Sequence, residues 1–273
     1  MSLPDRSSAA VWRLVVLEFW ERFSYYGVLS ILVLFLTSPT SAGGFGWNDS
    51  RALDLLAKFS ALAFILPMLG GYVADRWLGP RRAVLTGSCL LVIGNAIVAT
   101  AALWPLLDLL DHDPVLAGHV LTSGIACIAL GNGLFKSSLI TLIGSLVAHD
   151  NAVREQAFRH YYQAIMLGAM LSALCVGGLV ETFGWWSGFA LAALGMTISW
   201  AMFLLWRMPE GGAAAAAAAA SPLPVVAATK RTIGPIVLLC LFLPIIGVGW
   251  VQFQGLWLLQ TERWLYGDRK SVV

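Results

Sequence analysis

Glu18-Phe19-Trp20-Glu21-Arg22-Phe23-Ser24-Tyr25-Tyr26-Gly27 lies inside the first long apolar run of the chain, residues 11–36. Three ionisable groups fall within about one turn of a segment that otherwise reads as membrane-spanning. At roughly 3.6 residues per turn, Glu18, Glu21 and Arg22 share one helical face. A charge near the bilayer centre costs about 2.5–3.5 kcal/mol on insertion scales. Such groups are therefore expected to face a bundle interior or a water-filled cavity and to mark a path for ions or substrate. The plainer alternative is an internal ion pair that only locks helices together. Three charges followed by two tyrosines favour the path.

The 273 residues are 59% hydrophobic and 12% charged, with a mean hydropathy of +0.78. Soluble domains average about 45–50% apolar and about 25% charged, so the composition is that of an integral membrane protein. The net charge is +2, and the basic residues sit between apolar runs rather than in one patch, so no nucleic-acid partner is expected. Cys89, Cys127, Cys175 and Cys240 each lie in an apolar run without CxxC spacing. They read as buried small hydrophobes, neither disulfides nor metal ligands. No nucleophile–base pairing, metal spacing or phosphate loop stands out, so an enzyme is not expected. The N-terminus lacks the basic region and cleavage site of a signal peptide.

A span needs about 20 mostly apolar residues. Seven are expected, over residues 11–36, 54–74, 82–104, 116–146, 158–181, 184–206 and 233–260. No stretch alternates like a barrel strand, so the fold class is all-α. Lys and Arg collect on one side (Arg6, Arg13, Arg76, Arg81, Arg82, Arg154, Arg159, Arg207, Lys230, Arg231), while Arg51 and Lys58 lie on the other. The N-terminus is therefore expected in the cytoplasm. Residues 1–207 read as a six-helix bundle, 208–232 as an Ala/Pro-rich cytoplasmic linker and 233–262 as a seventh transmembrane helix. Residues 268–273, Asp-Arg-Lys-Ser-Val-Val, match a translated sequencing adapter and are expected to be a non-native tail.

Several other stretches carry polar chemistry. The second span ends Gly70-Gly71-Tyr72-Val73-Ala74-Asp75-Arg76-Trp77-Leu78-Gly79-Pro80. Its glycines permit close helix approach, and its charges serve topology. The fourth span holds Gly131-Asn132-Gly133-Leu134-Phe135-Lys136-Ser137. Lys136 lies about ten residues inside the span's end, about 15 Å at the helical rise, too far to snorkel easily. It is expected to turn inward and pair with the first-helix carboxylates, which brings the four buried charges to zero. The fifth span opens Phe158-Arg159-His160-Tyr161-Tyr162-Gln163-Ala164-Ile165-Met166-Leu167-Gly168-Ala169, and the seventh holds Gln252-Phe253-Gln254-Gly255. His160, His112 and His119 read as interfacial residues.

These stretches resemble signatures of the proton-dependent oligopeptide transporter family, a branch of the major facilitator superfamily. E-x-x-E-R followed by F-x-Y-Y-G is similar to the family's first helix, and GGxxADRxLG to its second loop. The fourth helix is similar to G-x-G-x-x-K-P-x, with Ser137 in place of proline. The fifth is similar to F-Y-x-x-I-N-x-G-A, with Met166 in place of asparagine. Aligning Gln254-Gly255 puts a neutral Gln252 where the seventh-helix motif carries an acid.

The resemblance implies the N-terminal half of a major facilitator fold plus one helix of the second half. It implies a proton-coupled symporter of di- and tripeptides, with the proton as coupling ion and no other cofactor or metal. Glu18, Glu21 and Lys136 would couple protons. Arg22, Tyr25, Tyr26, Lys136 and Gln254 would meet substrate, and Asp75 and Arg76 would belong to the cytoplasmic gate. The expected partners are small peptides, the lipid bilayer and a C-terminal half absent from this chain. The expected location is the inner (plasma) membrane. The alternatives are a same-fold transporter of another small anion or metabolite, or a non-transporting half-transporter.

Overall fold

A computed structural model describes residues 5–105, 107, 113–147, 151–206 and 230–267. Long apolar stretches can satisfy their backbone groups in lipid only by coiling internally, and the described residues are helical without strands. The helices are α1 (Asp5–Thr37), α2 (Asp49–Val73), α3 (Pro80–Ala101), α4 (Pro114–Leu146), α5 (Asn151–Phe183), α6 (Trp185–Leu205) and α7 (Lys230–Gly267). Six of them, α1 to α6, are long and apolar enough to cross a membrane. Several run past the expected spans, because polar end turns are helical too: α5 starts at Asn151 and α7 at Lys230. Most of the expected linker, the tail at 268–273, and Arg207, Asp108, Asp111 and His112 lie outside the described residues.

Local signals set the helix ends. The Asn48 side chain caps α2 by accepting from the Arg51 N–H at 2.9 Å. Asp113 caps α4 in the same way through Leu116, also at 2.9 Å. A wide π turn, Ala74–Leu78, extends α2. It stops at Gly79, whose φ of +74° suits glycine, and Pro80 opens α3 at once.

α1 is the most deeply buried span, packed mainly against α5 and α6. Three serine hydroxyls hold it by long-range hydrogen bonds. Ser172 on α5 donates to the Phe23 carbonyl at 2.6 Å, and Ser199 on α6 donates to the Leu17 carbonyl at 3.1 Å. Ser24 donates to Asn95 of α3 at 3.2 Å. Such bonds matter where apolar burial does not distinguish protein from lipid.

α4 packs against α2 and α3 through glycines. A Cβ on Gly131 would sit 2.7 Å from the Gly87 carbonyl oxygen, and one on Gly94 would sit 2.8 Å from that of Gly124. A Cβ on Gly70 would collide with the Gly133 backbone. The expected role of Gly70 in close helix approach is thus realised, and it is part of a longer glycine seam.

The cysteines differ from expectation. Cys89 and Cys127 are half-buried and Cys175 is exposed on α5. α5 is buried along the stripe Ala157, Tyr161, Ala164, Gly168 and Ser172, and Cys175 falls off it. The Cys240 side chain lies outside those described.

Gly131→Leu is expected to lower the melting temperature of the purified chain in detergent by on the order of 5 °C, as overpacking costs about 1–3 kcal/mol. Gly144→Leu on the same helix, where a Cβ meets nothing within 4 Å, is expected to leave it unchanged.

Candidate functional site

The helical period brings Glu18, Glu21 and Arg22 together, and the bundle buries all three at 0–3% exposure. The Arg22 guanidinium grips Glu21 with two parallel bonds, Nε to Oε2 at 2.5 Å and Nη2 to Oε1 at 2.7 Å. The same Nε lies 3.3 Å from Glu18 Oε1. One cation thus serves two carboxylates, the geometry for which a planar fork is suited and a point-charge ammonium is not. Arg22 also lies over the Tyr25 ring, 4.8 Å from its centroid.

α4 completes the cluster. Asn132 Nδ2 donates to Glu21 Oε1 at 3.3 Å. Lys136, one turn further along α4, is half-buried and feels the charges of Arg22, Glu18 and Glu21. The expected ion pair between Lys136 and the carboxylates is not made: among the described residues no ion pair within 4 Å includes it. The reason is local. Arg22 rises from the same helix as both acids and occupies them first, leaving Lys136 as the cation without a direct anion.

The tyrosines lead from the charges into a cavity. Tyr25 packs on Phe59 of α2 with ring centroids 5.6 Å apart, and edge-on to Tyr26 at 5.4 Å. Tyr26 lines a largely apolar cavity of about 480 Å³. Ser30, Leu56, Ala169, Val251 and Trp257 form other parts of its wall. Met166 is exposed and lies about one turn from Ala169 on α5, on the side that carries Ala173 as well.

The remaining expected site residues lie apart. Asp75 and Arg76 sit on the exposed π turn, and no ion pair within 4 Å includes either among the described residues. Gln252 of α7 donates to the Leu53 carbonyl of α2 at 2.8 Å, so its amide joins two helices. Gln254 is on α7, but its side chain lies outside those described. His160 stacks on Trp12 at 4.7 Å and contacts Gln163 at 3.0 Å. Asn132, Asn95 and Tyr161 are polar residues at this core that the sequence reading did not single out. An amide inside an apolar span was the available signal for the first two.

Among the described residues, helices long and apolar enough to cross a membrane carry a buried charge cluster beside a cavity, and their all-α fold matches that of POT transporters of the major facilitator type. The model of the POT family matches residues 81–208 of this chain. It is 34% identical over 198 residues to dipeptide and tripeptide permease A of Proteus mirabilis, covering 72% of this chain and 37% of that protein. It is 31% identical to the peptide transporter YePEPT of Yersinia enterocolitica, over 70% of this chain and 35% of that one. The crystal structure of a POT peptide transporter with sulfate superposes with a TM-score of 0.66 at 31% identity, covering 88% of this chain and 46% of that one. A POT family transporter in complex with 5-aminolevulinic acid gives 0.66 at 25% identity, over 90% and 47%. The chain spans about a third of the length of the curated relatives it matches. Those relatives are transporters.

Arg22→Met is expected to strip both buried carboxylates of their cation and destabilise the chain by about 3–5 kcal/mol. Lys136→Met removes no direct ion pair and is expected to cost about 1 kcal/mol or less. Thermal unfolding of the two variants in detergent measures the difference.

Proposed function

We propose that this chain carries the N-terminal, proton-coupling part of a symporter for di- and tripeptides. The observation that supports it most is the arrangement of the four buried charges. Arg22 is saturated by Glu21 and Glu18, while Lys136 stands beside them without an ion-pair partner among the described residues. Nearby cations favour an ionised carboxylate and desolvation favours a protonated one. A cavity that opens and closes changes both effects, so proton binding at Glu18 and Glu21 follows the access state.

Protonation of a carboxylate loosens its hold on Arg22. The guanidinium and Lys136 then hold the carboxylate end of a peptide, Arg22 through both of its forks. Tyr25 and Tyr26 offer hydroxyls and ring faces to the peptide bond, and the cavity beside Tyr26 takes an apolar side chain. Gln254 lies on the helix that closes this cavity and contributes an amide. Asp75 and Arg76, on the turn between α2 and α3, act in the cytoplasmic gate. The coupling ion is the proton, and the reading needs no other cofactor. The N-terminus lies in the cytoplasm and the membrane is the inner (plasma) membrane. The partners are small peptides and a second helical half, against which this one rocks during alternating access.

A second reading keeps the fold and changes the cargo to another small anion or metabolite. Met166 favours it, because a thioether where the fifth-helix motif carries an asparagine offers no strong donor or acceptor to a peptide bond. The complex of a related transporter with 5-aminolevulinic acid favours it too.

Uptake of a labelled dipeptide into proteoliposomes, by the protein expressed from its complete gene, tests the proposal. An inward proton gradient is expected to drive accumulation, and Lys136→Ala is expected to abolish it. Unchanged uptake in Lys136→Ala would sink the mechanism. Uptake of 5-aminolevulinic acid without dipeptide uptake would select the second reading.

A further inference from the structure

The buried site holds an unmatched set of polar atoms. Both carboxylate oxygens of Glu18 and the hydroxyl of Tyr161 lack any strict hydrogen bond, although Glu18 is 0% and Tyr161 3% exposed. Leaving such groups unsatisfied costs about 1–3 kcal/mol each, and more when one is charged. α1 and α5 run side by side here. Gly168 abuts the Phe19 carbonyl, Ser172 bonds the Phe23 carbonyl, and Trp12 stacks on His160. That alignment brings Tyr161 to the side of α1 that carries Glu18, so two buried groups without strict partners face one another, while Glu21 is already held by Arg22 and Asn132.

We infer that Tyr161 is a positioning residue for Glu18, a second hydrogen-bonding partner that takes over the carboxylate when Arg22 leaves it. A phenol suits the task because it can donate to an ionised carboxylate and accept from a protonated one. Arg22 can only donate, and it is shared with Glu21. The groups that face Glu18 are Arg22 and Glu21 on α1, Lys136 on α4 and Tyr161 on α5. The α6 contact to this part of α1 is the Ser199 hydroxyl, which bonds a backbone carbonyl. Tyr161 is thus the uncharged member of the set, and the one whose removal alters hydrogen bonding without altering charge.

This inference deepens the proton-coupling reading and is tested by a readout that needs no transport. The carboxyl C=O band of Glu18, assigned by its loss in Glu18→Gln, is followed by infrared spectroscopy against pH in the purified chain. In Tyr161→Phe the band is expected to move to higher frequency, as a protonated carboxyl that loses a hydrogen-bonding partner does. Its midpoint is expected to move to higher pH, since the ionised form loses a donor. In proteoliposomes carrying the protein expressed from its complete gene, the pH of half-maximal dipeptide uptake is expected to move the same way. Band and midpoint unmoved in Tyr161→Phe overturn the inference, even if uptake is normal. A moved band with no dipeptide uptake by the wild type leaves Tyr161 in its role and overturns the transport reading instead. Should Tyr161→Phe fail to fold, Tyr161→His restores a donor of similar reach and is expected to keep the band near its wild-type position.

Discussion

One guanidinium between two buried carboxylates is the constraint on which this structure depends. Glu18 and Glu21 lie about one turn apart in a segment with almost no access to water. Two ionised carboxylates at that spacing repel each other strongly in a low-dielectric interior. Arg22 offsets this with two bonds to Glu21 and one approach to Glu18. The surrounding parts keep the guanidinium in place: the Tyr25 ring over its face and the Asn132 amide against Glu21. The result is a knot of three side chains on one helix with a net charge of one minus, which a fourth charge, Lys136 on another helix, brings to zero.

That knot has to be held at a fixed depth and rotation. The bundle achieves this through the backbone of α1. Serine hydroxyls from α5 and α6 bond to the carbonyls of Phe23 and Leu17, which flank the charged turn on either side. Each anchors the helix by its backbone and leaves the charged side chains of α1 out of that task. The charged face is therefore left for chemistry while the rest of the helix does the packing. The rocking proposed for this chain requires such a division, since a site must keep its shape while access to it changes.

The all-α membrane class and the positions of the first six spans were legible because apolar runs of this length leave little alternative. The charge cluster was legible for the same reason: Glu18, Glu21 and Arg22 are anomalous where they stand. Pairing within the cluster was not. Periodicity puts Lys136 inside the bundle but does not say that Arg22 will claim both acids first; that depends on side-chain reach along a single helix. Asn132 was in view as part of a glycine-flanked stretch, and its bond to Glu21 follows from a rotation of α4 that only the α2 and α3 contacts determine. Tyr161 read as one of several aromatic residues near a helix end. Its hydroxyl acquires meaning through the alignment of α5 with α1, which no local pattern encodes. Gln252 shows the converse. Its side chain is occupied in joining α7 to α2, which sequence position alone could not reveal.

The glycine seam between α4 and its neighbours has a bearing on how such a sequence can change over generations. At Gly131 and Gly87, and again at Gly94 and Gly124, the backbone of one helix fills the place where the other's side chain would begin. An enlarging substitution at any of these positions meets neighbouring backbone within 3.0 Å, and a shrinking partner side chain, such as Val98 or Ile97 beside Gly124, would leave that contact in place. The usual compensatory exchange, in which one residue gains a methyl group as its neighbour loses one, is closed. Drift in this chain must therefore run through the lipid-facing and cavity-facing positions, and the seam acts as a ratchet that lets those positions wander while the spacing of α2, α3 and α4 stays where it is.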